Sequence, residues 1–218
     1  METVHKDKAQ EHFDRWAKTY NKGRITEWFR AFQQRTIAVI SPQPGDRILD
    51  VGCGPGWAVL QMSTMLTDGC ACGIDLSPGM IAQAKAGAAG LENVEFKVGD
   101  AENIPYEDAQ FDAILCSSSF HHYPNPVKAL CEFRRVLKPG GRAYILETCR
   151  DNSFLTLLYD LGQKLLEKDH IRYYHSQEIK AFFQEAGFSE IQQEFLEQQL
   201  FLYGKFLTSE ILISAKKA

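Results

Sequence analysis

Residues 48–56 read Ile48-Leu49-Asp50-Val51-Gly52-Cys53-Gly54-Pro55-Gly56, and the fold is decided there. Arg47 to Val51 is mostly apolar, as expected of a parallel strand covered on both faces. Asp50 is the exception, a carboxylate at the strand's carboxyl end. Three glycines then allow a sharp turn and close approach by a ligand, since glycine has no Cβ and tolerates positive φ. Trp57 to Met65 continues as an apolar helical stretch. Strand, glycine turn and helix together open a nucleotide-binding α/β unit. A dinucleotide fingerprint spaces its glycines G-x-G-x-x-G and lays a pyrophosphate on the helix N-terminus. Here the third glycine comes one residue early, and Trp57 stands where a small residue is wanted. Asp50 would repel a phosphate and attract a cation, so the turn suits a ligand with an ammonium and no phosphate.

The remaining elements follow in an order that fits the same architecture. Residues 1–8 are expected to fray. Ala9, Phe13, Trp16, Ala17 and Tyr20 recur at helical spacing, and a second helix, Trp28 to Val39, ends before the breaker cluster at 41–45. Cys70 to Asp75 reads as the second strand. Its terminal Asp75 falls about 20 residues past the glycine turn, where an acid can accept both ribose hydroxyls. Leu76 beside it is placed to lie against an adenine. Ser77 and Pro78 are an N-cap and N1 pair opening a helix to Ala86. Val94 to Val98 is a third strand, followed by Asp100 and Ala101. Phe111 to Cys116 is a fourth strand and opens onto the polar, aromatic loop Ser117 to Pro124. Asn125 and Pro126 start a helix to Leu137. Lys138-Pro139-Gly140-Gly141 stops it, and Arg142 to Glu147 is the fifth strand. Ser153 can cap a short helix in a 151–175 cap. Ser176 is expected to cap a helix over 177–186 that Gly187 ends. Phe188 to Phe195 and Phe206 to Ala215 form a closing pair of strands.

At Asp50, Gly52, Gly54 and Gly56 the sequence resembles the D-x-G-x-G-x-G motif of class I S-adenosylmethionine-dependent methyltransferases, of the UbiE-like, small-molecule type. Phe133 to Gly141 (FRRVLKPGG) resembles that family's RVLKPGG segment, and Phe13 to Tyr20 its leader, which folds over cofactor and substrate. The resemblance implies one domain over 1–218: a helical lid (1–40), a cofactor-binding core (41–150), a cap insertion (151–175) and a closing helix and strands (176–218). The implied fold is a doubly wound, mostly parallel, seven-stranded Rossmann-like α/β sheet with an antiparallel last strand. S-adenosyl-L-methionine is the implied cofactor. Its candidate contacts are Asp50, Gly52, Cys53, Gly54, Gly56, Asp75, Leu76, Asp100, Ala101, Cys116 and Ser117. In the family an Asp-Ala at 100–101 reads the adenine.

The implied reaction is in-line transfer of a methyl group to an O, N or C atom of a small molecule. A base is needed only when the acceptor must lose a proton, and histidine titrates in the right range. His121 and His122, on the loop after the fourth strand, are the candidates. Tyr20 is a lid or substrate contact; Tyr173, Tyr174, His175 and Glu147 are secondary candidates. A nicotinamide oxidoreductase is disfavoured by the glycine spacing and by Trp57. A base-methylating nucleic-acid enzyme is disfavoured because 116–119 reads Cys-Ser-Ser-Ser rather than an Asn/Asp-Pro-Pro-aromatic tetrad. A tRNA-modifying enzyme and a non-catalytic cofactor-binding module stay open. The net charge of −4 over 218 residues argues against a broad grip on nucleic acid. No run is long enough for a membrane span, and the charged N-terminus lacks a signal peptide's apolar core, so a cytoplasmic location is expected. The six cysteines lack C-x-x-C spacing and read as reduced, apolar residues; no metal site is expected. Cys70 and Cys72 fall on one face of a strand.

Overall fold

The computed structural model of the chain describes residues 2–17, 24–151, 160–162, 171–199 and 208–218. In chain order the elements are α1 (Glu2–Ala17), α2 (Arg24–Ile40), β1 (Arg47–Val51), α3 (Trp57–Ser63), β2 (Cys70–Asp75), α4 (Pro78–Gly87) and β3 (Val94–Val98). β4 (Phe111–Ser117), α5 (Pro126–Val136), β5 (Leu137–Cys149), α6 (Ser176–Glu185), β6 (Phe188–Gln199) and β7 (Thr208–Lys217) follow. The strands form one seven-stranded sheet in the order β3-β2-β1-β4-β5-β7-β6. β1 to β5 run parallel, and β7 is antiparallel to both neighbours. The chain leaves β1 towards β2 and β3, then returns to lay β4 on β1's other side. The carboxyl ends of β1 and β4 therefore flank the crevice where open α/β sheets take their ligands.

Alternation within the strands supplies a core on each face. Leu49, Val51, Ile74, Ile114 and Ile145 meet Leu130, Phe133, Ile179 and Phe183 of α5 and α6. Ile48, Ala71, Leu115 and Leu146 meet Phe32, Ile37, Met62 and Ala84 of α2, α3 and α4. Ser77 and Asn125 cap α4 and α5 as their sequence positions require, accepting from the amides of Met80 and Lys128.

Several local readings differ from the sequence expectation, among them α2, which begins at Arg24 rather than Trp28, and β6, which runs to Gln199 rather than Phe195. Residues 2–8 are helical rather than frayed, and Lys6 bonds at 2.8 Å to each of Asp100 and Glu102. Lys138 to Gly141 lies inside β5, not ahead of it; the irregularity shows as a register break between Phe111↔Leu137 and Ala113↔Arg142. Asp112 holds that segment, with Lys138 Nζ at 2.8 and 2.7 Å. The cap of α6 is His175, whose amide donates to Glu178 Oε2 at 2.9 Å; the Ser176 amide is taken by Asp151 instead. Finally, Cys131 is exposed and Cys70 half-buried, so not every cysteine is a core residue. The expected helix after Ser153 and the start of the last strand at Phe206 lie outside the described residues.

Phe133 on α5 is wholly enclosed. Its replacement by Ala is expected to lower unfolding free energy by about 3–5 kcal/mol through lost transfer energy and a residual cavity. Urea titration followed by circular dichroism measures it.

Candidate active site

The glycine turn is held against β2 by its backbone. The amides of Gly52 and Cys53 both donate to Ile74 O at 2.9 Å, and the Gly54 amide donates to Asp75 Oδ2 at 2.9 Å. Gly52, Gly54 and Gly56 have φ of 75°, 53° and 82°, the left-handed region. A Cβ at Gly52 would collide with Ser119 Oγ, and one at Gly56 would lie 2.7 Å from Phe96 Cζ. A Cβ at Gly54 would meet nothing within 4 Å. The turn is therefore packed from behind at two glycines and open at the third. Cys53, whose thiol is buried, donates to Gly54 O at 3.5 Å.

Asp50 is 1 % exposed, and neither of its carboxylate oxygens has a hydrogen-bond partner. Burial pushes its carboxyl up to about 8, and the nearby Asp75 charge adds to the shift. Asp75 Oδ1 accepts from the Ser77 amide at 2.9 Å while Oδ2 holds Gly54. Burial raises Asp75 to about 6; those two amides oppose the shift and Asp14 adds to it. Asp75 thus forms the turn and still has lone pairs for a ligand, because an ionised carboxylate offers about four. Ser117, at the end of β4, has a buried hydroxyl that is likewise unpartnered. Cys116 points to the opposite face, 3.4 Å from Tyr123 Oη, so any part it plays at the ligand edge falls to its backbone. Leu76 is half-buried and Ala101 enclosed.

α1 reaches this edge from outside. Asp14 accepts from the Ser77 hydroxyl and, at 2.9 Å, from the Gly79 amide at the start of α4. Lys6 sits on Asp100 Oδ2, while Asp100 Oδ1 accepts the Glu102 amide at 2.9 Å. The acid expected to read an adenine is therefore already shared with a lysine 94 residues away in sequence, a contact with no local signal.

The loop after β4 carries the second half of the site. Tyr123 pins it to β1, its hydroxyl donating to Val51 O at 3.3 Å and lying 2.9 Å from Ser119 Oγ. His121 Nδ1 lies 2.9 Å from Glu147 Oε1 at the end of β5. Glu147 is fully enclosed and also accepts the amides of His121, at 3.2 Å, and Thr148, at 3.0 Å. The His122 ring lies beside that of His121, with centroids 4.0 Å apart, and stands edge-on to Phe13 of α1 at 5.1 Å. Tyr173 packs on His121 with ring centroids 4.8 Å apart. Tyr174 belongs to the core beside Phe120 and Phe182, and His175 is exposed. Tyr20 lies outside the described residues. Glu210, enclosed on β7 and accepting from Thr148 at 2.6 Å, is a further carboxyl that burial raises to about 8.

Comparison with known proteins agrees with this geometry. A methyltransferase-domain family profile matches residues 49–145. Demethylmenaquinone methyltransferase of Staphylococcus aureus (strain JH9) is 30% identical over 182 residues, spanning 74% of this chain and 76% of its own length. The chain belongs to the S-adenosylmethionine-dependent methyltransferases. Aklanonic acid methyltransferase DauC of Streptomyces sp. (strain C5) is 33% identical over 65% of this chain and 66% of its own. The YcgJ protein of Bacillus subtilis shares the fold with a TM-score of 0.73 at 23% identity, over 85% of this chain and 97% of that one. Among the described residues, no helix of this methyltransferase is long and apolar enough to cross a membrane.

The residues present fit S-adenosylmethionine. Among the described residues, the enclosed carboxylate of Asp50 has no hydrogen-bond partner and no cationic side chain is bonded to the turn to receive a phosphate, while Gly54 is open to close approach. In the ligand-free methyltransferase the raised Asp50 has a definite sign of linkage. Between its unfolded value near 4 and about 8 the native state retains a proton that the unfolded chain loses, so stability falls as pH rises through that window. Asp50→Asn removes the penalty. The variant is expected to gain at least about 1 kcal/mol on wild type between pH 5 and pH 8. Paired urea titrations at the two pH values isolate Asp50 from Asp75 and Glu210, which titrate in both proteins.

Proposed function

We propose that this enzyme methylates a small molecule at a weakly acidic hydroxyl or carbon, with His121 as the base. The observation that carries the reading is the contact of His121 Nδ1 with the enclosed Glu147 at the carboxyl end of the sheet. A carboxylate at Nδ1 fixes that nitrogen as the protonated one, so proton acceptance falls to Nε2. Glu147, held by two amides, orients the ring and stabilises the imidazolium formed when a proton arrives. An acceptor already ionised or already carrying a free lone pair would need neither residue.

S-adenosylmethionine, when bound, supplies an electrophilic methyl group on a sulfonium whose leaving group is a neutral thioether, so no general acid is required. The chain's own residues bind, orient and exclude water. In this reading Asp50 pairs with the cofactor's ammonium and Asp75 accepts its ribose hydroxyls. Asp100 and Ala101, with Leu76, meet the adenine, and Gly52, Cys53, Gly54, Gly56, Cys116 and Ser117 offer backbone or hydroxyl contacts along the turn. α1 acts as the lid together with Tyr20, which lies outside the described residues, and His122 packs that lid through Phe13 rather than handling protons. The acceptor belongs to the broad class that the relatives' names indicate, demethylmenaquinone and aklanonic acid being two of its members. All six cysteines are free, which supports a reducing, cytoplasmic setting.

Two measurements test the reading. Calorimetry of S-adenosylhomocysteine at pH 7, in buffers of different ionisation enthalpy, should show proton release on binding as Asp50 loses its proton to pair with the ammonium. Asp50→Asn should abolish the release and weaken binding roughly 10- to 100-fold. Unchanged affinity in that variant removes Asp50 from the cofactor site. With an acceptor found by labelled-methyl screening, His121→Ala and Glu147→Gln should each lower kcat by about 10²–10³-fold. S-adenosylhomocysteine affinity should stay near wild type. Loss of both activity and product binding in Glu147→Gln would mean a purely structural acid. Tight product binding with no methyl transfer to any acceptor would leave a non-catalytic cofactor-binding module.

A further inference from the structure

Cys70 and Cys72 open β2 and, two positions apart in a strand, project from one face. Their sulfurs lie 3.6 Å apart in hydrogen-bond contact. Cys72 is enclosed, and Cys70 is half-buried. Arg47, the register partner of Cys70 on β1, brings a guanidinium to the cluster and bonds Glu95 at 3.0 Å. With Lys97 and Tyr106, Arg47 also lines a cavity of about 540 Å³, at the end of β1 away from the glycine turn. The thiol hydrogen bond from Cys72 and the Arg47 charge, against burial and the charge of Glu95, which lies 3.8 Å from the Cys72 sulfur, hold Cys70 down at about 7. The same contact and burial push Cys72 up. Elsewhere burial raises Cys53 and Cys116 well above the ordinary thiol range and Cys149 to about 12. Among the described residues no three ligating side chains are grouped to hold a metal ion.

We propose that Cys70 and Cys72 are a modification site for peroxides, with Cys70 the sulfur that is oxidised and Cys72 the thiol that resolves it. Partial access, a neighbouring cation and an adjacent second thiol are the attributes of redox-responsive cysteines. The Cys70 thiolate attacks one peroxide oxygen; an S–O bond forms, the O–O bond breaks and hydroxide leaves, taking a proton from solvent. Sulfur loses two electrons and the peroxide gains them. Cys72 then attacks the sulfenic sulfur; the S–S bond forms, the S–O bond breaks, and water leaves with the Cys72 proton. Alternate Cα atoms of a strand are about 6.4–6.8 Å apart, at the upper end of the disulfide range. Closure therefore pinches the start of β2, and the product is one that a dithiol reductant reverses readily. Such transient bonds are the form disulfides take in a reducing compartment. The site is independent of the methyl-transfer reading, since none of its residues is at the cofactor turn.

The test uses the whole protein. Iodoacetamide at pH 7, with peptide mass mapping over time, should label Cys70 at least about fivefold faster than Cys131, although Cys131 is the more exposed. Limiting hydrogen peroxide should remove the mass of two hydrogens, block Cys70 and Cys72 together, and be reversed by dithiothreitol. In Cys72→Ser the oxidised Cys70 should instead be trapped by dimedone. Faster labelling of Cys131, or a two-hydrogen loss that survives Cys70→Ser, overturns the proposal. The wild-type rates decide the matter even if either variant folds poorly.

Discussion

A carboxylate enclosed without a partner is the constraint around which the ligand edge is arranged. Asp50 cannot ionise inside the fold without either a counter-charge or a hydrogen bond, and the surrounding backbone offers it neither. The β1 strand could have ended in another apolar residue, as Val51 on its other face does, and would have packed better for it. Local choices that oppose stability mark places where a protein is shaped for something other than folding. The neighbouring Asp75 shows the contrast. It is half-buried, two amides take up its charge, and its shift is smaller.

The arrangement of the sheet makes that exception useful. Because β4 returns to the far side of β1, the turn carrying Asp50's neighbours and the loop carrying His121 leave adjacent strands at the same edge. Glu147 comes from the next strand, so three consecutive strand ends bring the enclosed Asp50 carboxylate, the His121 imidazole and the carboxylate bonded to that imidazole to one edge. No loop has to reach across the molecule to bring them together.

Much of this was legible in the sequence because its signals are local. The glycine spacing, the Ser77-Pro78 and Asn125-Pro126 starts and the apolar runs of the first four strands each depend on neighbours within a few residues, and these lie where the sequence placed them. What the sequence withheld depends on contacts between distant segments. Nothing near Lys6 announces Asp100, and nothing near His121 says which of two adjacent histidines will find a carboxylate 26 residues on. The Lys138-Pro139-Gly140-Gly141 run reads as a helix stop, which it is. Its absorption into β5 depends on Asp112 of the neighbouring strand. Alternation put Cys70 and Cys72 on one face, but the approach of Arg47 came only with strand pairing.

Gly52 has one further implication. Its bare α-carbon lets Ser119 close on the turn, and Tyr123 ties the same loop to Val51 through its hydroxyl. The wall beside the glycine turn and the wall beside His121 are thus one piece of masonry, without a joint between them. The spacing between whatever rests on one and whatever rests on the other is set when the chain folds, not when a ligand arrives, which is the kind of fixed alignment that a displacement along a line demands.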